Sequence, residues 1–149
     1  MITARFIKGE NLEGKFRAAI PDLRSALQKT VMRLALQLTA KVKGEKLSGQ
    51  VLKVRTGRLR RSIHPEWDFK PGYTGATVGT NVEYAAIHEY GLAVERAAFT
   101  NLRSRNQHAG RTIQYKERSF LRSSLKEMTP DITAQLKRSV REELIKIKK

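Results

Sequence analysis

The chain of 149 residues contains no cysteine, which excludes disulfides and thiolate metal sites. Its three histidines and three aspartates (Asp22, Asp68, Asp131) are a thin supply for acid–base or metal chemistry. Acids are scarce altogether: 14 Asp+Glu face 30 Lys+Arg, giving a formal net charge of +16. No apolar run approaches the ~18–20 residues of a membrane helix. Arg5, Lys8, Glu10, Glu13 and Lys15 punctuate the start, which therefore does not read as a signal peptide. What is present is 40% hydrophobic, enough for a core and too apolar for wholesale disorder. The length fits a single domain, 1–149. Together these counts point away from an enzyme, and toward a chain that meets polyanions or assembles with partners.

Apolar residues at Leu12, Phe16, Ile20, Leu23, Leu27, Val31, Leu34, Leu38 and Val42 recur in steps of three and four, one stripe of a helix. Pro21-Asp22 reads as a first helical turn, so the expected helix runs from about Pro21 to Lys43, with Leu12 to Ile20 as a separate turn before it. Thr56 is a candidate N-cap for a short helix in which Leu59 and Ile63 share the inner face, closed by Pro65. Trp67 and Phe69 alternate with polar residues as in a strand, Pro71-Gly72 reads as a turn, and Tyr73 to Thr80 as the partner strand. Asn81 is a candidate cap for a helix from Val82 to Tyr90, stopped by Gly91. The stretch from Leu92 to Lys116 is too long for an ordinary connection. Its β-type ends and polar middle predict a hairpin-like arm at about 93–116, outside the core, with Phe99, Leu102, Arg103, Arg105, Arg111, Ile113 and Tyr115 as its assembly contacts. Phe120, Leu121, Leu125 and Met128 then form a helix face. Pro130 interrupts it, and Ile132, Leu136, Val140 and Leu144 continue at spacing four.

Enzyme signatures fail one by one. His88-Glu89 begins like a zinc-protease helix, but position 92 is leucine where the second ligand belongs. There is no Gly-x-Ser-x-Gly elbow and no phosphate-binding Gly-Lys-Ser/Thr loop. His88 with Tyr84 and Glu89 would make an acid–base cluster, yet no nucleophile or metal partner accompanies it. The reading assigns no catalytic, cofactor-binding or metal residues. The basic clusters are the stronger signal. Lys53, Arg55, Arg58, Arg60 and Arg61 lie within nine residues without an acid. Arg96, Arg103, Arg105, Arg111 and Lys116 fall in the arm, and Lys137, Arg138, Arg141, Lys146, Lys148 and Lys149 in the tail. Such residues are either solvated faces or phosphate contacts. The net charge favours phosphate, read without regard to base sequence, because no zinc finger, RNP-type or helix-turn-helix pattern is present.

Three segments carry a resemblance. They are Thr56-Gly57-Arg58-Leu59-Arg60-Arg61-Ser62-Ile63, then Val78-Gly79-Thr80-Asn81-Val82-Glu83-Tyr84-Ala85-Ala86-Ile87-His88-Glu89-Tyr90-Gly91, then Phe120-Leu121 before a helix. In this order they resemble the tail-completion or head–tail joining proteins of tailed bacteriophages, small neck or minor tail components of the virion. The motif residues are Thr56, Gly57, Leu59, Gly79, Thr80, Tyr84, Ala85, His88, Glu89, Gly91, Phe120 and Leu121. The proline usual before Phe-Leu in that family is absent here, where Ser119 stands. The same motifs occur in a virion-morphogenesis group that includes tail-completion proteins of contractile-tailed phages, and the sequence fits both.

The resemblance implies a structural role without an active site or cofactor. The expected partners are further copies in a ring around the DNA channel, the head connector, and tail-tube or tail-terminator proteins. Assembly would take place in the host cytoplasm, where a cysteine-free chain is at home, and the product would sit in the neck of the virion, with no membrane contact. The segment Lys53 to Arg61 would face DNA phosphate. The expected fold is α+β: a small, mostly antiparallel sheet packed by the long N-terminal and C-terminal helices, with the arm projecting. A non-specific nucleic-acid-binding accessory protein is the alternative, and the arm argues against it, since a simple binder has no need of one.

Overall fold

The computed structural model describes residues 12–96, 99–101, 106–108 and 111–147. The chain folds as α1 (Leu12–Gly44), a short 3-10 turn (Lys46–Ser48), α2 (Arg58–Ser62), β1 (His64–Lys70), β2 (Tyr73–Gly79), α3 (Ala85–Tyr90), β3 (Leu92–Arg96), β4 (Phe99–Asn101), β5 (Asn106–His108), β6 (Arg111–Tyr115) and α4 (Leu121–Ile147). It is α+β, as expected.

The stripe on α1 deepens along the helix. Ile20 is exposed, Leu23, Leu27 and Val31 are half-buried, and Leu34, Leu38 and Val42 are buried; the side chains of Leu12 and Phe16 lie outside the described residues. The expected break before Pro21 is absent: one helix runs through it. Pro130 likewise lies inside α4 instead of interrupting it. Both prolines are exposed, and in an exposed turn water reaches the backbone around the ring, so the helix survives.

α1 and α4 pack antiparallel. Thr30 Oγ1 donates to Ser139 Oγ (3.2 Å) and Arg33 Nη2 to Gln135 Oε1 (3.3 Å). Nearer the start of α4, Glu127 takes Lys41 at 3.1 Å and Lys46 at 2.6 Å. α4 lies chiefly along α1, and α1 makes the main contacts with the β1–β2 hairpin. The inner face of α4 also differs from expectation. Leu125 is 48% exposed, whereas Ser124 is fully buried, with its hydroxyl donating to the Phe120 carbonyl at 2.7 Å. That local bond lets a serine sit where the apolar pattern looked for a leucine.

β1 and β2 form the expected hairpin, Trp67 opposite Ala76 and Lys70 opposite Tyr73. Proline fixes a negative φ at position 71 and Gly72 adopts φ 78°, so Pro71-Gly72 makes a tight turn. Arg24 of α1 donates to the Lys70 carbonyl and pins the tip of this hairpin. Pro65 lies inside β1, and α2 ends earlier, at Ser62. The core gathers Leu38, Val42, Leu47, Leu52, Leu59, Ile63, Val82, Ala85 and Phe120. Val42, Ile63 and Phe120 are completely buried, each stabilising by roughly 1.5–3 kcal/mol in transfer alone.

The long segment after α3 is an arm. β3 pairs with β6 (Leu92 opposite Tyr115) and β4 with β5 (Phe99 opposite His108, Asn101 opposite Asn106), both antiparallel. At ~3.4 Å per residue the five paired residues of β3, Leu92 to Arg96, span about 14 Å. Its strands pack chiefly on each other, and among the described residues no arm side chain belongs to the core cluster. Leu102, Arg103 and Arg105 lie outside the described residues, as do Lys148 and Lys149.

Candidate functional site: a basic cleft at the root of the arm

Two connected arrangements organise this end of the molecule: a clamp that fixes the arm's root to α4, and a cleft beside it. The clamp is centred on Glu89, which is only 3% exposed. Its Oε2 accepts from the backbone N–H of Phe120 (2.8 Å) and Leu121 (3.0 Å). Its Oε1 accepts from Arg122 N (2.8 Å), Arg122 Nε (3.3 Å) and the Ser119 hydroxyl (2.8 Å). Ser119 Oγ in turn accepts from Ser123 N at 3.2 Å. A helix start leaves its first amides without intrahelical partners. Here those of residues 120 to 122 go to one carboxylate and that of Ser123 to one hydroxyl, and the negative charge sits at the positive end of the helix dipole. Burial pushes the Glu89 carboxyl upward, but the amides of Leu121, Arg122 and Phe120 and the Ser119 hydroxyl outweigh it and hold the group below the usual carboxylate range.

Arg122 closes the clamp. Its Nη2 donates to the Glu89 carbonyl (3.0 Å) and to Glu117 Oε1 (2.6 Å), while its guanidinium carbon lies 4.6 Å from the centroid of the Tyr90 ring. Arg118 N donates to the His88 carbonyl at 2.7 Å. Gly91 follows at φ 72°, and an added Cβ would stand 2.9 Å from the Tyr115 carbonyl and 3.0 Å from Glu117 N. Glycine is required there on both counts. The family-motif residues Glu89, Gly91, Phe120 and Leu121 therefore meet in one place.

Successive residues of a helix point about 100° apart. Glu89 consequently faces inward and His88 faces the cleft. The acid–base cluster weighed from the sequence does not assemble: the Glu89 oxygens are occupied by α4, and His88 instead meets Tyr84 edge-on, with ring centroids 6.0 Å apart. Among the described residues no group of three His, Asp or Glu is placed to hold a metal ion. The expected helix from Val82 starts later, at Ala85, and Asn81 does not cap it; Thr80 Oγ1 accepts from Val82 N at 3.2 Å. Likewise Gly57, at φ 69°, takes the N-cap position of α2 expected of Thr56. The Thr56 hydroxyl still accepts from Arg58 N at 3.4 Å.

The cleft is about 1050 Å³ and lies between the 49–57 loop with α2 on one side and the root of β6 on the other. Leu59 and Ile63 anchor α2 inward, leaving its arginines exposed as expected. Lys53, Arg55, Arg58 and Arg60 line one wall, and Lys116 and Arg118 the other. No acid lines it. Arg61 belongs elsewhere: its guanidinium turns back to the Thr56 carbonyl at 3.2 Å. Ion pairs form at Lys41, Lys46, Lys70, Arg122, Arg138 and Lys146. Among the described residues, none forms at the six cations of the cleft. Tyr84, His88 and Tyr115 add rings to its lining. Lys116 was grouped with the arm from sequence, and Arg118 was not singled out; only the folded chain brings them opposite Lys53 to Arg60.

Residues 33–146 match the phage virion morphogenesis family. The chain belongs to that family. Its role is accordingly in building the phage virion. Of the two groups the motifs fit, the match falls on virion morphogenesis. Comparison with curated proteins and with solved structures gives no match. Among the described residues no helix is long and apolar enough to cross a membrane.

Proposed function

We propose that this protein completes the tail or joins it to the head, as one subunit of a ring around the DNA channel, without a catalytic step. Family membership supports a structural role, and the observation that carries the finer reading is the pairing of a projecting arm with an acid-free basic cleft at its root. The arm leaves the clamped root as a paired hairpin, the kind of element that reaches a neighbouring subunit. The cleft offers six cations that no acid of the described chain neutralises, the electrostatics for sequence-blind contact with phosphate. The ring would stand between the head connector and the tail-tube or tail-terminator protein, in the neck of the virion. The alternative of a free nucleic-acid-binding accessory protein is disfavoured by family membership.

The test replaces residues 97–110 with a short Gly/Ser linker, keeping β3, β6 and the clamp. The expected product folds cooperatively, fails to form rings, and leaves phage heads and tails unjoined by electron microscopy. Normal joined particles would refute the role of the arm, and absence of the protein from purified virions would refute the reading altogether.

A further inference from the structure

Within one chain the arm and the β1–β2 hairpin stay apart: among the described residues no arm strand packs substantially on that hairpin. We infer that the outer face of the hairpin, carrying Glu66 and Asp68, receives the arm of a neighbouring copy, with Arg96 and Arg111 as the groups that meet the two carboxylates. This rests on the ring proposed above and names the surface through which its subunits join.

The first argument is what the arm lacks. Arg96 stands directly opposite Arg111 in the register of β3 and β6. Like charges directly opposite each other destabilise a strand pair. Glu95, the single acid of the arm, stands opposite Thr112, and the sequence adds Arg103 and Arg105 toward the tip. The arm therefore calls for an acidic counterpart, and the acid-free cleft offers none.

The second argument is where such a counterpart exists. Among the described residues β1 and β2 pair only with each other. Pro65 stands opposite Val78, which packs on the core cluster. Side chains alternate along a strand, so Glu66 and Asp68 lie on the face turned away from the core. Their side chains are 75% and 45% exposed. Each is held only by its own strand, Glu66 by His64 Nε2 at 3.2 Å and Asp68 by Lys70 Nζ at 3.0 Å. Exposed pairs of this kind are weak, and a better donor displaces them. Elsewhere the carboxylates are more fully engaged: Glu127 takes Lys41 and Lys46, and Arg122 binds both Glu89 and Glu117. Asp68 stands opposite Gly75, and the Tyr73 ring lies across Gly75, where an added Cβ would strike it. A carboxylate beside an exposed ring suits a guanidinium, which pairs with one and stacks on the other. The same carboxylates repel DNA phosphate, so this face does not compete with the arm's partner for nucleic acid.

The third argument is spacing. Two residues apart on one strand, Glu66 and Asp68 stand about 7 Å apart. Directly opposed residues such as Arg96 and Arg111 stand about 5 Å apart. Two carboxylates thus match two arginines to within the reach of long side chains.

The experiment follows assembly of the full chain by size-exclusion chromatography with light scattering over a concentration series. Reversing the face (Glu66→Arg with Asp68→Arg) or the arm (Arg96→Glu with Arg111→Glu) should raise the concentration needed for assembly about ten-fold or more. The chain carrying all four changes should assemble like wild type. So should an equimolar mixture of the two reversed variants, because the arm of each then matches the face of the other. Such rescue cannot come from a misfolded chain. A second measurement uses the absence of cysteine. Asp68→Cys and Arg111→Cys chains, mixed and mildly oxidised, should give a covalent dimer beyond what either gives alone. Assembly undiminished by either reversal would overturn the inference and leave the ring standing. Loss without rescue, together with no cross-link, would overturn it by placing the arm on another surface. A wild-type chain that stays monomeric at every concentration and does not cross-link would overturn both the inference and the ring.

Discussion

Removing the Glu89 carboxylate should be among the most damaging single changes available to this fold. Glu89→Ala leaves the amides of Phe120, Leu121 and Arg122 without an acceptor at a largely buried helix start. An ordinary N-cap loss costs about 0.5–2 kcal/mol, and breaking a buried charged network costs about 3–5 kcal/mol. Glu89 serves three amides, a hydroxyl and a guanidinium, so the larger figure governs, trimmed by the exposure of Arg122; about 3 kcal/mol is expected. Glu89→Gln should do little better. Whichever oxygen it replaces, an NH2 group then faces N–H donors, two of them on the Oε2 side. For a chain of this size ~1 kcal/mol moves Tm by ~2–4 °C, so the midpoint should fall by about 6–12 °C. The pH dependence has a definite sign. The folded carboxyl lies below its unfolded value, so the unfolded chain binds more protons in acid. The contribution of Glu89 is fully present above the unfolded pKa of ~4.3, and is lost as pH falls through the folded value. Wild type and Glu89→Gln should therefore converge in stability as pH drops below about 4. Denaturant titrations from pH 7 to pH 3 read this directly. A loss under about 1 kcal/mol at pH 7, or a difference that does not change with pH, would refute the clamp as described.

Phe120→Ala removes a fully buried ring beside the same helix start and should cost about 3–5 kcal/mol in denaturant titration; a loss under about 1.5 kcal/mol would mean that the site collapses around the gap. Gly91→Ala should cost about 1–3 kcal/mol, from the positive φ and the approach of the Tyr115 carbonyl and Glu117 N. Gly44→Ala, where an added Cβ meets nothing within 4 Å, is its control and should be near neutral in the same melts.

The regular elements were legible because they obey a period. The α1 stripe and the Leu59–Ile63 face are local patterns that landed on the expected side of the core, and the alternation around Trp67 gave the strand, although Trp67 itself is 40% exposed. The length of the segment after Gly91 was enough to predict a hairpin arm, since no ordinary connection is that long. The errors came where exposure or a partner distant in sequence decides. Prolines at 21 and 130 looked like boundaries, but an exposed turn tolerates them inside a helix. Leu125 looked like core, yet Ser124 holds that position by bonding its own turn. The start of α4 was legible only as Phe120-Leu121, because its cap is not in the preceding residues. Ser-x-x-Glu spacing would have revealed a local cap; here position 122 is arginine, and the acid comes from Glu89, thirty residues earlier.

That distance also explains what the family motifs mean physically. His88-Glu89-Tyr90-Gly91 and Phe120-Leu121 look like a broken metal site and an unremarkable helix entry when read separately. Folded, they form one clamp that ties the end of α3, the root of the arm and the head of α4. A projecting hairpin can transmit force or fix a neighbour only if its base cannot rotate. The Gly91 approach to β6, the Arg118–His88 backbone bond and the Glu89 cap supply that rigidity. The residues proposed to meet a partner lie outside the clamp: the cations of the 49–57 loop and α2 are exposed and bonded to little beyond their own segment. The motif thus marks the mount, and the ligand-facing surface is set by whatever charges the loop and the arm carry. On this account a charge change at Lys53 or Arg55 alters polyanion affinity without moving Tm, and a change at Glu89 or Gly91 moves Tm first.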